Sequence, residues 1–403
     1  MVRDVVIVGG GQAGASAAAK LRALGHAGSI TILGAEPHLP YQRPPLSKKY
    51  LLGEMTLERL FLRPPAFYAE QEITLALGRR AEGIDRAAQR VQTDAGPLPY
   101  DALILATGST PRRLPEAIGG ALAGVHTVRS VGDVDAMAPA FVEGARMLVL
   151  GGGYIGLEAA AVAAQRGMAV TLIEMAPRIL QRVAAPETAD YFRTLHEGHG
   201  VQLLEETRLA RLEGEDGRLA RAVLEDGRVL ETDIAIVGIG VSPEAALAEA
   251  AGLAIDNGIA VDGACRSSDP AIYAAGDCAS FPYRGGRIRL ESVQNAIDQA
   301  EHAAAAILGE TAPYAPVPWF WSDQYDCRLQ IAGLNLGADR RVTRPGSRPG
   351  AASVWYYEGE TFRAVDAMNE PRAFMLAKRW LADGRNPDPA AVADAAQDLK
   401  ALA

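Results

Sequence analysis

Two stretches of the chain share one pattern of apolar and small residues: VVIVGGGQAGASAAA from Val5 and MLVLGGGYIGLEAAA from Met147. Each opens on an apolar run of strand length, meets three glycines and continues into an alanine-rich stretch of helical character. The pattern predicts a buried strand, a tight turn and a helix, twice. In the second copy the helix is expected over Tyr154 to Gln165 and the next strand over Ala169 to Glu174. A further repetition supports duplication: in TDAGPLPYDALILATGSTP and LEDGRVLETDIAIVGIGVSP, residues Asp101, Gly108 and Pro111 are spaced like Asp233, Gly240 and Pro243. An apolar run ending in Gly and Pro is ordinary once, but hardly twice at the same spacing.

The glycines fall as Gly9-x-Gly11-x-x-Gly14 and Gly151-x-Gly153-x-x-Gly156. The first of each set makes the turn, the second lets backbone approach a pyrophosphate, and the third lets helix pack on strand while the helix amino terminus faces the anion. A dinucleotide site places an acid about 20 residues further on to accept the ribose hydroxyls. Glu174, ending the strand VTLIE, meets that requirement. A carboxylate there favours NADH over NADPH, although Arg178 and Arg182 follow closely enough to neutralise a phosphate. In the first copy the strand ITIL runs into Gly34-Ala35-Glu36, so the acid is displaced by two positions and Glu36 is the candidate.

A third signature, IYAAGDCA, puts Gly276-Asp277 directly after a short apolar strand, with a helix start expected near Ser292. Asp277 suits a hydrogen bond to the ribityl chain of a flavin, and the helix start suits negative charge on a reduced ring. The alternative is an aspartate that caps the next helix. With two dinucleotide units present and ATG at Ala106 to Gly108, the first unit reads as the site of FAD. Glu158 follows the last glycine of the second motif by two and is expected in the first turn of its helix, where Ser16 stands in the first copy. It either complements the helix dipole or lies beside a bound dinucleotide, which would need a cation to neutralise it.

At 403 residues the chain has room for two or three domains. The expected fold class is α/β, with two Rossmann-type domains and a small C-terminal α/β domain. The first is discontinuous, residues 1–111 and 243–313, carrying an insertion with short strands near Ile73 to Leu75 and Val91 to Thr93. The second spans 112–242, with a hairpin signal at Asp226-Gly227, and the third spans 314–403, where Trp319, Trp321, Trp355 and Trp380 all lie. A net charge of −9 argues against a nucleic-acid binder. No apolar run approaches the ~20 residues of a membrane helix, and Val5 to Val8 is too short a core for a signal peptide. These features indicate a cytoplasmic protein and leave its oligomeric state open. Cys265, Cys278 and Cys327 are far apart, and His196 and His199 read as surface residues of a helix, so no metal site is expected.

Over essentially its whole length the chain resembles the FAD-dependent, NADH-using ferredoxin reductases of bacterial oxygenase systems, the family of putidaredoxin reductase and of biphenyl-type dioxygenase reductases. Beyond the glycine motifs, PYQRPPLSKKYL from Pro40, IYAAGDCA, RLESVQNAIDQA from Arg289 and PWFWSDQYD from Pro318 carry the likeness. The resemblance implies a glutathione reductase-like architecture and FAD contacts by Ala13, Lys48, Ala81, Arg129, Asp277 and Val293. It also puts Trp321 near the ring, Ile155 at the NADH site and a Lys48–Glu158 pair beside the flavin. At Ala35 the family often has Asp, so Glu36 or water takes that role.

The first 100 residues hold no cysteine, which sets the chain apart from flavoproteins that pass electrons through a thiol. The implied activity is hydride transfer from NADH to FAD, then single electrons to an acidic [2Fe-2S] ferredoxin serving a cytochrome P450 or Rieske oxygenase. Five arginines (Arg328, Arg340, Arg341, Arg344, Arg348) against Asp339 give a local balance of +4, and Arg284, Arg287 and Arg289 form a second cluster. Either would steer an acidic partner. Two other readings stay open: an NADH-dependent reductase of a small molecule such as a quinone, and a regulatory flavoprotein that is reduced without turnover.

Overall fold

The computed structural model describes residues 2–402. The chain divides into two compact units, one of Met1–Arg43, Thr56–Thr110 and Ser242–Pro316, the other of Pro44–Met55, Pro111–Val241 and Val317–Ala403.

In the first unit a five-stranded sheet runs in the order Ile272–Ala274, Ala102–Leu105, Asp4–Val8, Ser29–Gly34, Ile73–Leu77. All its pairings are parallel, and the central strands are continuous apolar runs because both faces are covered. The chain leaves Asp4–Val8 toward one edge and returns to its other side, so the order reverses at the carboxyl end of that strand, where the glycine turn sits. Helices Gln12–Ala23 and Val293–Ile307 share one core cluster through Ala17, Ala18, Leu21, Ala300, Ala303 and Ala304. The strand at Ile73 is the edge of this main sheet and not part of an insertion, because Ile73 and Leu75 pair with Ile30 and Ile32. Arg90–Thr93 does lie apart, in an antiparallel sheet with Ala81–Asp85 and Leu98–Pro99.

The second unit repeats the topology, in the order Gln202–Leu204, Ala169–Ile173, Arg146–Leu150, Ile234–Val237, Val125–His126. The helix after the glycines spans Tyr154–Gln165. The strand Ala169–Ile173 stops one residue before Glu174, which leaves that side chain at its end. An antiparallel sheet of Leu209–Glu215, Arg218–Leu224 and Val229–Glu231 turns at Asp226 and Gly227, where φ is +86°.

The same unit carries a five-stranded antiparallel sheet in the order Trp319–Gln324, Cys327–Gly333, Thr361–Met368, Ala352–Glu358, Arg340–Pro345. Helix Pro371–Asp383 covers it, with Phe374 and Trp380 packed in one cluster with Trp355 and Phe362. Arg344 donates to the carbonyls of Val392, Asp394, Ala395 and Gln397, fastening the chain end to this sheet. No described helix is long and apolar enough to cross a membrane.

Helix Pro186–Gly198 corrects one expectation. His196 is fully buried at 0% exposed, because it lies on the helix face that also buries Phe192; His199 alone is exposed. From the same helix Thr188 donates a 2.7 Å hydrogen bond to buried Asp366, which also accepts from the Tyr356 hydroxyl.

Burial pushes the Asp366 carboxyl up to about 6, its two donors pulling it only part of the way back. Between its unfolded value near 3.8 and this folded value, the native state holds a proton that the unfolded chain has released. The stability so gained is complete at acid pH and is lost as pH rises through 6. From pH 4 to 7.5, wild-type stability in denaturant titrations is therefore expected to fall relative to Asp366→Asn by roughly 2–3 kcal/mol. Parallel profiles for the two proteins would contradict this.

Candidate functional site

The two glycine turns have matching geometry. Gly9 (φ +127°) and Gly151 (φ +104°) take backbone conformations that favour glycine, and a Cβ on them would fall 2.1 Å from the Ala106 carbonyl oxygen and 2.6 Å from that of Gly238. On Gly14 and Gly156 a Cβ would fall 2.0 and 2.1 Å from the carbonyl oxygens of Gly9 and Gly151. Gly11 and Gly153 differ: a Cβ on either meets nothing within 4 Å. These two are also the N-caps of helices Gln12–Ala23 and Tyr154–Gln165, which have neither a side-chain cap nor an acid in the first turn. Elsewhere Ser130 and Ser292 cap their helices. Unclaimed amides beside open space fit the pyrophosphate of a dinucleotide. Ile155 stands 44% exposed at the second helix start, and Ala13 is buried beneath Gly276, whose added Cβ would lie 3.2 Å from it.

In the first unit the Glu36 carboxylate accepts from Arg43 Nη2 at 2.7 Å and from the Tyr41 hydroxyl at 2.5 Å. Two of its roughly four acceptor positions are thereby used, which leaves capacity for a ribose. Exposed Ala35 offers only backbone and a methyl group. Asp277 accepts from Ser109 Oγ at 2.9 Å. The capping alternative is not what the structure shows: Ser292 Oγ accepts from Asn295 N, and the helix begins at half-buried Val293. Gln299, 0% exposed, accepts from Gly276 N at 2.9 Å and fixes the turn before Asp277. Asn295 and Gln299 were missed by the sequence reading. Their signal is two amides four apart on the alanine face of RLESVQNAIDQA. Ala81 opens a strand of the antiparallel sheet and packs against the core.

In the second unit Glu174 accepts from Gly152 N at 2.7 Å and Ala176 N at 2.8 Å, so its carboxylate is held at the glycine turn. Arg178 spends its guanidinium on the carbonyls of Ile179, Gln181 and Ala184, while Arg182 is exposed. Arg129 lies just before the capping box of Ser130 and Asp133, its backbone N donating to Asp133.

Glu158 is in the second turn of its helix, not the first, since the helix begins at Tyr154. A dipole-complementing role is thereby weakened, as that effect fades beyond the first turn. Instead Glu158 is buried and paired: Lys48 Nζ is 2.9 Å from Oε1, Ser322 Oγ donates to Oε1 at 2.7 Å and Ser47 Oγ to Oε2 at 2.9 Å. Lys48 comes from the helical segment Leu46–Tyr50, whose backbone departs from helical at that residue. The two serines lie inside the quoted PYQRPPLSKKYL and PWFWSDQYD motifs but give no sequence sign of meeting one glutamate. Half-buried Trp321 is tilted against Trp319, ring centroids 5.6 Å apart.

The three cysteines are buried, and burial raises each thiol, Cys327 to about 11. Among the described residues no three His, Cys, Asp or Glu side chains gather as metal ligands. The basic run stays largely exposed but is partly neutralised. Arg328, Arg340 and Arg341 pair with Asp323, Glu360 and Glu187, and Arg344 holds the chain end. In the second cluster Arg287 pairs with Asp256 and Arg289 with Glu291, leaving Arg284 exposed against Tyr283.

Residues 3–300 match the family described as pyridine nucleotide-disulphide oxidoreductase, and residues 319–403 match the reductase C-terminal family. Rhodocoxin reductase of Rhodococcus erythropolis is 43% identical over 98% of this chain and 93% of its own length. The ferredoxin–NAD(+) reductase component of the anthranilate 1,2-dioxygenase system of Burkholderia cepacia is 43% identical over 98% of both chains. Among solved structures, the reductase of the covalent putidaredoxin reductase–putidaredoxin complex superposes with a TM-score of 0.96 at 40% identity, over 100% of this chain and 98% of that one.

Gly153 and Gly156 separate binding from folding. Valine at Gly153 enters open space, so Gly153→Val is expected to keep its melting temperature and its flavin yet lose bleaching by NADH. Valine at Gly156 must displace the Gly151 carbonyl 2.1 Å from its Cβ, and is expected to destabilise the protein by ~3 kcal/mol or more. Thermal melts and NADH titrations of the two variants check this, and equal behaviour in both assays would contradict it.

Proposed function

We propose, from the premise that the chain belongs to the pyridine nucleotide-disulphide oxidoreductase family, that it is an NADH-dependent reductase of a [2Fe-2S] ferredoxin that supplies an oxygenase. The observation that carries the reading is a doubled, uncapped, glycine-lined helix start in one chain whose thiols are all buried. Bound FAD supplies the exchange between a two-electron hydride and the single electrons that an iron–sulfur protein accepts. Relatives named for rhodocoxin, putidaredoxin and a dioxygenase ferredoxin support the partner.

FAD is assigned to residues 1–111 and 243–313, with Gly9, Gly11, Gly14 and the amides of the first helix on its pyrophosphate, Glu36 on its ribose and Asp277 on its ribityl chain. Ala13, Ala35, Ala81, Gly276 and Val293 are assigned to this site, and the family resemblance adds Lys48, Arg129 and Trp321 to the FAD contacts. NADH is assigned to 112–242, with Gly151, Gly153 and Gly156 on its pyrophosphate, Ile155 against the dinucleotide and Glu174 on the 2′-hydroxyl. Residues 314–403 form the third domain. A carboxylate held at the glycine turn by Gly152 N and Ala176 N repels a 2′-phosphate, which supports NADH over NADPH. The N–H groups of Arg178 are turned to backbone carbonyls and Arg182 stays exposed. Lys48 and Glu158 are the catalytic pair: the ammonium neutralises a carboxylate that would otherwise repel the dinucleotide, and the pair positions the nicotinamide. Three thiols without disulfides suit the cytoplasm.

The purified protein is expected to be yellow, to bleach on NADH, and to reduce cytochrome c rapidly only when a ferredoxin is added. Rapid direct turnover of a quinone would favour a small-molecule reductase instead, and bleaching without turnover a regulatory flavoprotein. Glu158→Gln and Lys48→Met are each expected to slow bleaching by NADH at least about tenfold, or ~1.4 kcal/mol of barrier. Unchanged rates in both would remove the pair from the mechanism.

A further inference from the structure

We propose that Ser322, Gln324 and His196 are positioning residues for Glu158, forming a one-way series of hydrogen-bond donors that fixes its carboxylate against Lys48. The inference rests on the assignment of the Lys48–Glu158 pair to NADH oxidation.

Each link is forced by the one before it. Glu158 Oε1 lies 2.9 Å from the Lys48 ammonium, and an ionised carboxylate can only accept. Ser322 Oγ, 2.7 Å away, must therefore give its single proton to Glu158. That leaves Ser322 only lone pairs for Gln324, 3.1 Å off, so the Gln324 amide turns its NH2 to the serine. Its Oε1 then faces His196 Nε2 at 2.8 Å, and Nε2 carries the hydrogen. Burial pushes the imidazole down to about 4, so it is neutral near pH 7 and Nδ1 is bare. The Tyr325 hydroxyl, 3.4 Å away, donates to it. From Tyr325 to Glu158 every donor points the same way, an arrangement in which each bond polarises the next.

The setting supports a dedicated arrangement. Ser322, Gln324 and His196 are 0%, 1% and 0% exposed, and polar groups buried this deeply are costly unless fully satisfied. Ser322 and Gln324 share one face of their strand, two residues apart. Tyr325 adopts φ +54°, an unfavourable conformation for an aromatic residue, and there its ring stacks on exposed His199 with centroids 3.7 Å apart. Neighbouring Asp323 is paired with Arg328. Because an amide neither gains nor loses a proton near neutrality, the series orients charge and does not conduct protons.

The test uses the flavin-loaded protein and two readouts. In stopped-flow reduction by NADH, the limiting rate is expected to fall about tenfold in Ser322→Ala and about threefold in Gln324→Met, with the dissociation constant for NADH unchanged within about twofold. Ser322→Thr, which keeps the hydroxyl, recovers most of the lost rate. Independently of activity, nitrogen NMR of labelled histidine should find His196 as the neutral Nε2–H tautomer from about pH 6 to 8. A proton on Nδ1 overturns the proposal. So do wild-type limiting rates in both Ser322→Ala and Gln324→Met while Glu158→Gln remains slow, an outcome that spares the reading of the pair. If Glu158→Gln and Lys48→Met also reduce at the wild-type rate, the reading and the proposal fall together.

Discussion

The architecture depends on one close contact made twice, helix backbone against turn backbone at the third glycine of each motif. A single methyl group at Gly14 or Gly156 would come about 2 Å from a carbonyl oxygen of its own turn. This closeness fixes where each helix starts relative to the strand before it. It also leaves the first amides of the helix with no internal partner, since the four leading N–H groups of any helix lack one. The chain supplies serine caps at Ser130 and Ser292 and withholds them at Gly11 and Gly153. Helices Pro186–Gly198 and Pro371–Asp383 also lack a side-chain cap, but they begin on proline, which has no amide to satisfy; Gly11 and Gly153 differ in facing open space.

Such contacts are legible because they act over short sequence distances. Strand, turn and helix around Gly9 and Gly151 follow from periodicity and from the steric demands of glycine, and Tyr154–Gln165 begins and ends where its residues predict. The strand at Ile73 was misplaced for a related reason. Its short apolar run cannot reveal whether it joins a main sheet or an insertion, and only its pairing with Ile30 and Ile32 decides. His196 reads as a surface residue from its spacing of three with His199 on a helix, where surface positions are commoner than ligands. It lies on the buried helix face with Phe192, and its hydrogen-bond partner there is a glutamine 128 positions away in sequence.

Charge was the least legible property. Counting residues between Arg328 and Arg348 gives a basic run, but three of those guanidiniums face carboxylates from Asp323, Glu360 and Glu187, the last from a distant helix. Arg344 has a structural task that no charge count could suggest: four carbonyl oxygens near the chain terminus converge on it. Composition fixes how many charges a chain carries, but only the fold decides which of them a partner meets.

Glu158 brings these threads together. Removing a carboxylate from water costs several kcal/mol unless cation and donors replace its hydration, and here Lys48, Ser47 and Ser322 do so from two segments on either side of it in sequence. With three partners already placed, the carboxylate has little freedom to turn. For the catalytic role proposed for the pair, such a carboxylate need not reorganise, which is where electrostatic preorganisation gains its effect. The two serines are small and chemically mild, and neither would be selected from sequence as a functional residue. Their importance comes from what they hold in place.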